Sequence, residues 1–331
     1  MASSLLQERY PDTCYPNKSG TDVLSPLTNG TIVVERDFKV NGIYCRPLGP
    51  GRGVLQLLLH GGTYNKKMWS GFGIGDDYDW QATATSHGYH TLAIDRLGHG
   101  DDRQYLDPIR HVQGGLESEI IHQVIGIIRK GGFRNPLWQR FRRIAYVGHS
   151  FGTAVGIALV SKYPTDIDAL VAIGFSTSFN GTSLRDLGDL TPAASVSRRF
   201  AHLPKGYLTC RSSSNREALL YAGFYDDRIP KFDYRLQDTL TVGEHCYIGF
   251  VTPAIGFTKP VLAVVGDNDK IFCDDVTESC VNKLKVTGQR LLPNSDYHIY
   301  VPRNTGHTLM LHYTAHQTMH VVHKFLQKHL T

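Results

Sequence analysis

Short, uninterrupted apolar runs alternate along this chain with stretches in which apolar positions recur every three or four residues. Val54 to Leu59, Thr91 to Ile94, Ile144 to Val147, Ala169 to Phe175 and Pro260 to Val265 are runs of the first kind, and Tyr297 to Val301 is a last one. Such runs read as strands covered on both faces. Between them lie helical stretches at Tyr78 to His87, at Glu117 to Lys130, from Ser150 to about Tyr163, at about Asp274 to Lys285, and over 313–329. In the second of these, Ile120, Ile121, Val124, Ile127 and Ile128 make one helical face, and Gly131-Gly132 ends it. Thr31 to Val40 and Gly42 to Arg46, separated by Asn41-Gly42, predict a β-hairpin.

Strands alternating with helices predict a mostly parallel sheet with helices on both faces. Residues 31–175 and 259–331 carry this pattern, and residues 1–30 read as an irregular lead-in. From 176 to 258 it breaks: Pro192, Pro204, Pro230 and Pro253 appear, with basic residues and many aromatics. That stretch is expected to be an insertion of helices and loops, a lid over the sheet. Part of the set Tyr207, Tyr221, Phe224, Tyr225, Phe232 and Tyr234 is expected to line a pocket.

Ligands of such sheets bind beyond the C-terminal ends of the strands. Polar clusters fall at these ends, containing His60, Asp95, Ser150, Asp269 and His307. The sharpest is Gly148-His149-Ser150-Phe151-Gly152, a Gly-x-Ser-x-Gly sequence between a strand and a helix. Glycines two positions either side of an apical serine let a strand turn abruptly into a helix, and the hydroxyl is presented at the apex. A lone serine hydroxyl is a poor nucleophile; it needs a base, and the base needs an acid that fixes its tautomer. Ser150, Asp269 and His307 follow one another in the Ser, Asp, His order expected of this architecture. Asp267, Asp274 and Asp275 compete for the acid, and His298 and His312 for the base. An oxyanion would be met by the N–H of Phe151 and by one from the His60-Gly61-Gly62 loop, with Gly62 favoured over Thr63.

Composition narrows the classes. The 331 residues carry a formal charge of +5 and no Lys/Arg block, so nucleic acid is not an expected partner. No apolar run approaches a membrane span, and Met1 to Tyr10 does not read as a signal peptide. The six cysteines form no Cys-x-x-Cys pair, which favours a cytoplasmic protein with free thiols. Glycosylation triplets at Asn17, Asn29 and Asn180 leave secretion open. Gly71-Phe72-Gly73-Ile74-Gly75 does not lead from a strand into a helix, so no dinucleotide site is expected. His312, His316 and His320, four apart, read as a surface helix rather than a metal site. The expected partner is a small molecule, with no cofactor and no metal; oligomeric state is not legible.

Leu59-His60-Gly61-Gly62, Asp95-Arg96-Leu97-Gly98-His99-Gly100, Gly148-His149-Ser150-Phe151-Gly152, Gly266-Asp267-Asn268-Asp269 and Gly306-His307 together resemble the α/β-hydrolase superfamily, in its lid-containing branch. The stretches around Trp80 and Asp95 are similar to uncharacterised fungal hydrolases, some near secondary-metabolite pathways. The resemblance implies a mostly parallel eight-stranded sheet and a serine attacking an ester, thioester or lactone carbonyl. It leaves open a non-hydrolytic biosynthetic enzyme (acyl transfer, carbon–carbon cleavage or cyclisation) and a ligand-binding protein on the same scaffold.

Overall fold

The computed structural model describes residues 33–101, 103–131, 140–178, 190–247, 251–273 and 278–330. Its main sheet is built from β1 (Gly42–Cys45), β2 (Val54–Leu59), β3 (His90–Ile94), β4 (Arg143–His149), β5 (Ala169–Ile173), β9 (Pro260–Val264) and β10 (Asp296–Tyr300). The order across it is β1-β3-β2-β4-β5-β9-β10. All neighbours are parallel except β1, which runs antiparallel to β3. Seven strands, rather than eight, are thus present among the described residues. The expected hairpin is absent there too: β1 takes its partner from β3, 46 or more residues on, and 33–41 forms no strand. The lead-in, the acceptors Asn17, Asn29 and Asn180, and Asp274 and Asp275 lie outside the described residues.

The helices of the main layer are α1 (Trp80–Ser86), α2 (Gly114–Lys130), α3 (Phe151–Lys162), α7 (Cys280–Leu291) and α8 (Ala315–Leu330). β2, β3 and β5 are buried at every position, as strands covered on both faces must be. Helix α3 is buried from Phe151 to Val160 and apolar on all sides, so it occupies the centre of its layer. Leu57, Leu58, Tyr146, Val147, Val171 and Val264 belong to the large core that lines both faces of the sheet.

The inserted stretch differs from expectation. It holds helices α4 (Ser213–Leu220), α5 (Ile229–Leu236) and α6 (Val242–Tyr247), and also a small antiparallel sheet of β6 (Leu190–Pro192), β7 (Tyr207–Cys210) and β8 (Leu240–Thr241). Among the described residues, no helix is long and apolar enough to cross a membrane.

Register places the polar clusters together. One row of paired residues runs Ile94, Leu59, Gly148, Ala172, Ala263, Ile299 across the six parallel strands. The strands therefore end along one rim, from which Asp95, His60, Ser150 and the loops bearing Asp269 and His307 emerge.

Candidate active site

Ser150 sits at the apex between β4 and α3 with φ 53° and ψ −117°. A non-glycine residue there is strained, at a cost of order 1–3 kcal/mol. The neighbours hold it in place. Its N–H donates to Ile173 O at 2.7 Å, and Thr153 Oγ1 donates to Gly148 O at 2.7 Å and Ile173 O at 2.9 Å. The turn has no room for side chains on its flanks. A Cβ at Gly148 would lie 2.6 Å from Gly152 O, and one at Gly152 would lie 2.5 Å from Leu59 O. The side chain of Ser150 is half-buried, and its Oγ makes no hydrogen bond among the described residues.

His307 and Asp269 meet as the sequence order predicts. His307 Nδ1 donates to Asp269 Oδ2 at 2.8 Å, and both residues are buried. Asp269 Oδ1 accepts the N–H groups of Ile271 at 2.9 Å and Phe272 at 3.1 Å. A carboxylate facing Nδ1 holds the proton there and leaves Nε2 with a free lone pair, the form a base needs. His149 Nε2 donates to His307 O at 3.0 Å and its ring lies 4.9 Å from that of His307. Burial holds His149 well below the ordinary histidine range, so it stays neutral. Gly174, next to the carbonyl that anchors Ser150, packs within 3.2 Å of His307 Cε1, measured from where its Cβ would stand. The competitors fall elsewhere. Asp267 is exposed and accepts the Thr305 N–H at 3.2 Å, joining the two loops, while His298 lies on β10 against Asp296 at 2.9 Å.

The loop after β2 separates the two oxyanion candidates. Thr63 has φ 59°, its N–H donates to Thr239 O at 3.1 Å, and its carbonyl accepts from Asp238 N–H at 2.7 Å. Its donor is consumed. Among the described residues, no backbone carbonyl accepts from Gly62 or Phe151 N–H. Gly61 abuts the elbow: a Cβ on it would stand 3.0 Å from Ser150 Cβ.

Several residues around the site are invisible to periodicity. Arg216 is fully buried on α4 and forms a two-pronged pair with Asp233 of α5, at 2.8 Å on each prong. Its third contact is Thr63 Oγ1 at 2.8 Å, and Tyr64 Oη donates to Asp233 Oδ2 at 3.0 Å. The inserted segment is thus pinned to the loop after β2. His312 is not on a surface helix. It precedes α8, is fully buried, accepts from Gly306 N–H at 3.0 Å through Nε2 and donates through Nδ1 to Thr308 O at 2.9 Å. It braces the turn that carries His307, whereas His316 and His320 are exposed.

Among the described residues, two groups bring metal-type donors together. In the first, Glu117 and Glu244 pair with the guanidinium of Arg96 and His99 pairs with Glu244; in the second, Asp296, His298 and His329 lie at the edge strand β10 and the end of α8, away from Ser150. A cavity of about 1280 Å³ lies between residues 33–40 and α2, lined by Val34, Phe38, Leu116, Ile120 and Val124, and includes none of Ser150, Asp269 and His307. Of the aromatics expected to line a pocket, Tyr207 packs in a core of its own with Leu97 and Phe200, and Phe224 and Phe232 are exposed. Cys273 and Cys280 form a disulfide, which corrects the expectation of free thiols, while Cys45 keeps its thiol.

A mostly parallel sheet with crossover helices, an elbow serine at its rim and a buried His–Asp pair on the two later loops is the α/β-hydrolase fold. The chain belongs to the alpha/beta hydrolase family, whose sequence profile matches residues 56–319. No protein of curated function matches the sequence. Among solved structures, it is similar to an esterase (EaEST) from Exiguobacterium antarcticum, with TM-score 0.59 and 13% identity over 87% of this chain and 96% of that one. It is also similar to a carboxylesterase structure from Nitrososphaera gargenis, with TM-score 0.57 and 16% identity over 89% and 97% of the two chains. A monoacylglycerol lipase from Paleococcus ferrophilus gives TM-score 0.55 and 16% identity over 88% and 100%. At these identities the likeness is one of fold.

Proposed function

We propose that this protein is a cofactor-free serine hydrolase that cleaves a carboxylic ester, thioester or lactone of a medium-sized, partly apolar molecule through an acyl-enzyme. The observation that carries the reading is the strained Ser150 at the elbow with the His307–Asp269 pair on the neighbouring rim loops. In this mechanism His307 Nε2 takes the Ser150 proton as Oγ attacks the carbonyl. The N–H groups of Phe151 and Gly62 receive the charge that develops on the carbonyl oxygen. His307 returns the proton to the leaving alcohol or thiol, and water, deprotonated by the same imidazole, releases the acid. The Ser150–His307 hydrogen bond belongs to the substrate-bound state, since such bonds commonly tighten only then. Leu240 against Gly62, with Phe272 5.7 Å from His307, supplies apolar surface near the reacting centre. The names of the esterase and lipase neighbours support an ester substrate. A cytoplasmic location is not part of this reading, because a disulfide such as Cys273–Cys280 belongs to oxidising compartments.

The test is labelling with a fluorophosphonate, together with a screen of ester chain lengths and lactones. Wild type should label and turn over; Ser150→Ala should lose labelling and fall in kcat by a factor on the order of 10⁴–10⁶. Folded wild type that neither labels nor hydrolyses any ester would end the proposal.

A further inference from the structure

What aims the oxyanion-binding loop lies on the side away from the substrate. There are no cis peptide bonds among the described residues, so the Gly61–Gly62 carbonyl and N–H point in opposite directions. Whatever anchors Gly61 O therefore directs Gly62 N–H. Two donors anchor it, Arg96 Nη2 at 3.2 Å and His60 Nδ1 at 2.9 Å. Arg96 Nε also donates to the preceding carbonyl, His60 O, at 3.0 Å. The Arg96 backbone N–H donates to His60 Nε2 at 3.0 Å, which leaves the ring proton on Nδ1, where it can reach Gly61 O. The guanidinium carbon lies 4.7 Å from the centre of the Phe151 ring. One side chain thus touches both segments that would supply the oxyanion donors.

Arg96 is fully buried, and a guanidinium there needs counter-charges. Glu117 of α2 supplies one, at 3.0 and 3.2 Å from Nη1. Glu244 supplies the other from α6, inside the inserted segment. Glu244 is itself held by His99 Nε2 at 2.9 and 3.0 Å and by Thr241 N–H at 2.7 Å. The guanidinium is gripped between a helix of the main layer, the inserted segment and the loop after β2.

We infer that Arg96 and Glu244 are positioning residues for the oxyanion hole: Arg96 sets the direction of Gly62 N–H and braces Phe151, and Glu244 holds the guanidinium in that pose. The inference rests on the serine-hydrolase reading and adds that the inserted segment takes part in transition-state stabilisation without touching substrate. It differs from a purely structural role in where the loss appears. Misaimed donors weaken the tetrahedral state and leave ground-state binding intact, so kcat falls while KM holds.

The experiment compares wild type, Arg96→Lys and Glu244→Gln. Active sites are titrated with a fluorophosphonate at completion, kcat and KM are measured on a p-nitrophenyl ester, and inhibition by a trifluoromethyl ketone, which adds Ser150 as an oxyanion, is compared with that by the matching methyl ketone. Arg96→Lys should lower kcat per titrated site by about 10²-fold, keep KM within about threefold, and weaken the trifluoromethyl ketone in parallel while sparing the methyl ketone. Glu244→Gln, which preserves shape, should show the same pattern at roughly 10-fold. Should Arg96→Lys fail to fold, Glu244→Gln decides alone. Unchanged kcat per titrated site, with only a lowered Tm, overturns the inference. Wild type that does not react with the fluorophosphonate overturns the serine-hydrolase reading as well, so the two failures are told apart.

Discussion

Ser150 is held in a backbone conformation that costs energy, and the glycines around it are there because nothing else fits. At Gly152 a methyl would meet the carbonyls of Leu59 and His60 at 2.5 and 2.7 Å, both backbone atoms of a central strand and its exit loop. Neither can yield without moving the loop that bears Gly62. Gly152→Ala should therefore reduce kcat by about 10²-fold or more, the cost expected of an ångström-scale misplacement, with a fall in Tm visible by calorimetry; wild-type activity would show that the elbow relaxes more freely than its packing implies. These residues were legible in the sequence because the constraint is local: five adjacent positions encode the turn. His312 shows the opposite. Its spacing from His316 and His320 imitates a helix face, yet α8 starts only at Ala315. Hydrogen bonds to Gly306 N–H and Thr308 O, a few residues back, hold His312 in the turn below the His307 loop, and an irregular turn has no repeating spacing to announce it.

At the level of elements, the main sheet was readable because parallel strands buried on both faces leave unbroken apolar runs. The inserted segment was not. Its strands are two to four residues long and pair with stretches far away in sequence, and its helices α4 and α5 have eight residues each. Elements this short rely on tertiary contacts rather than propensity. The Arg216–Asp233 pair between α4 and α5 is one such contact, fully buried and joined to Tyr64 and Thr63. Asp233→Ala would leave an unpaired guanidinium in the interior, which costs about 3–5 kcal/mol. Urea unfolding should show a loss of that order, and a change below about 1 kcal/mol would mean that Arg216 escapes to solvent.

The whole molecule carries an unusual load of buried charge where the inserted segment meets the main layer, and this ties its stability to pH. Burial works to lower the pKa of His99, but the Glu244 and Asp238 carboxylates outweigh it and raise it to about 9. A raised folded value means the contribution is complete below the ordinary histidine pKa of about 6.5 and is lost as pH climbs through about 9. The stability gap between wild type and His99→Gln should therefore be widest near pH 6 and close by pH 9.5 in urea titrations at both pH values. A gap that stays constant would mean His99 is neutral throughout. His245 acts oppositely, since burial alone lowers it to about 4, and its share is lost as pH falls from about 6.5 through 4.

Between the turn that bears Asp269 and the first turn of α7, the Cys273–Cys280 bond closes a short loop. Cys273 N–H also donates to Asp269 O at 2.7 Å, so the thiol form would slacken the backbone directly behind the acid of the pair. Cleaving a loop of this size forfeits roughly 2 kcal/mol, small for the fold and large for the placement of one carboxylate. Two batches of identical polypeptide, one matured under oxidising conditions and one purified in reductant, should then differ in turnover before they differ in melting behaviour. Cys280→Ser should reproduce the slower turnover without any exposure to reductant. The history of the sample, as much as its sequence, would set the rate.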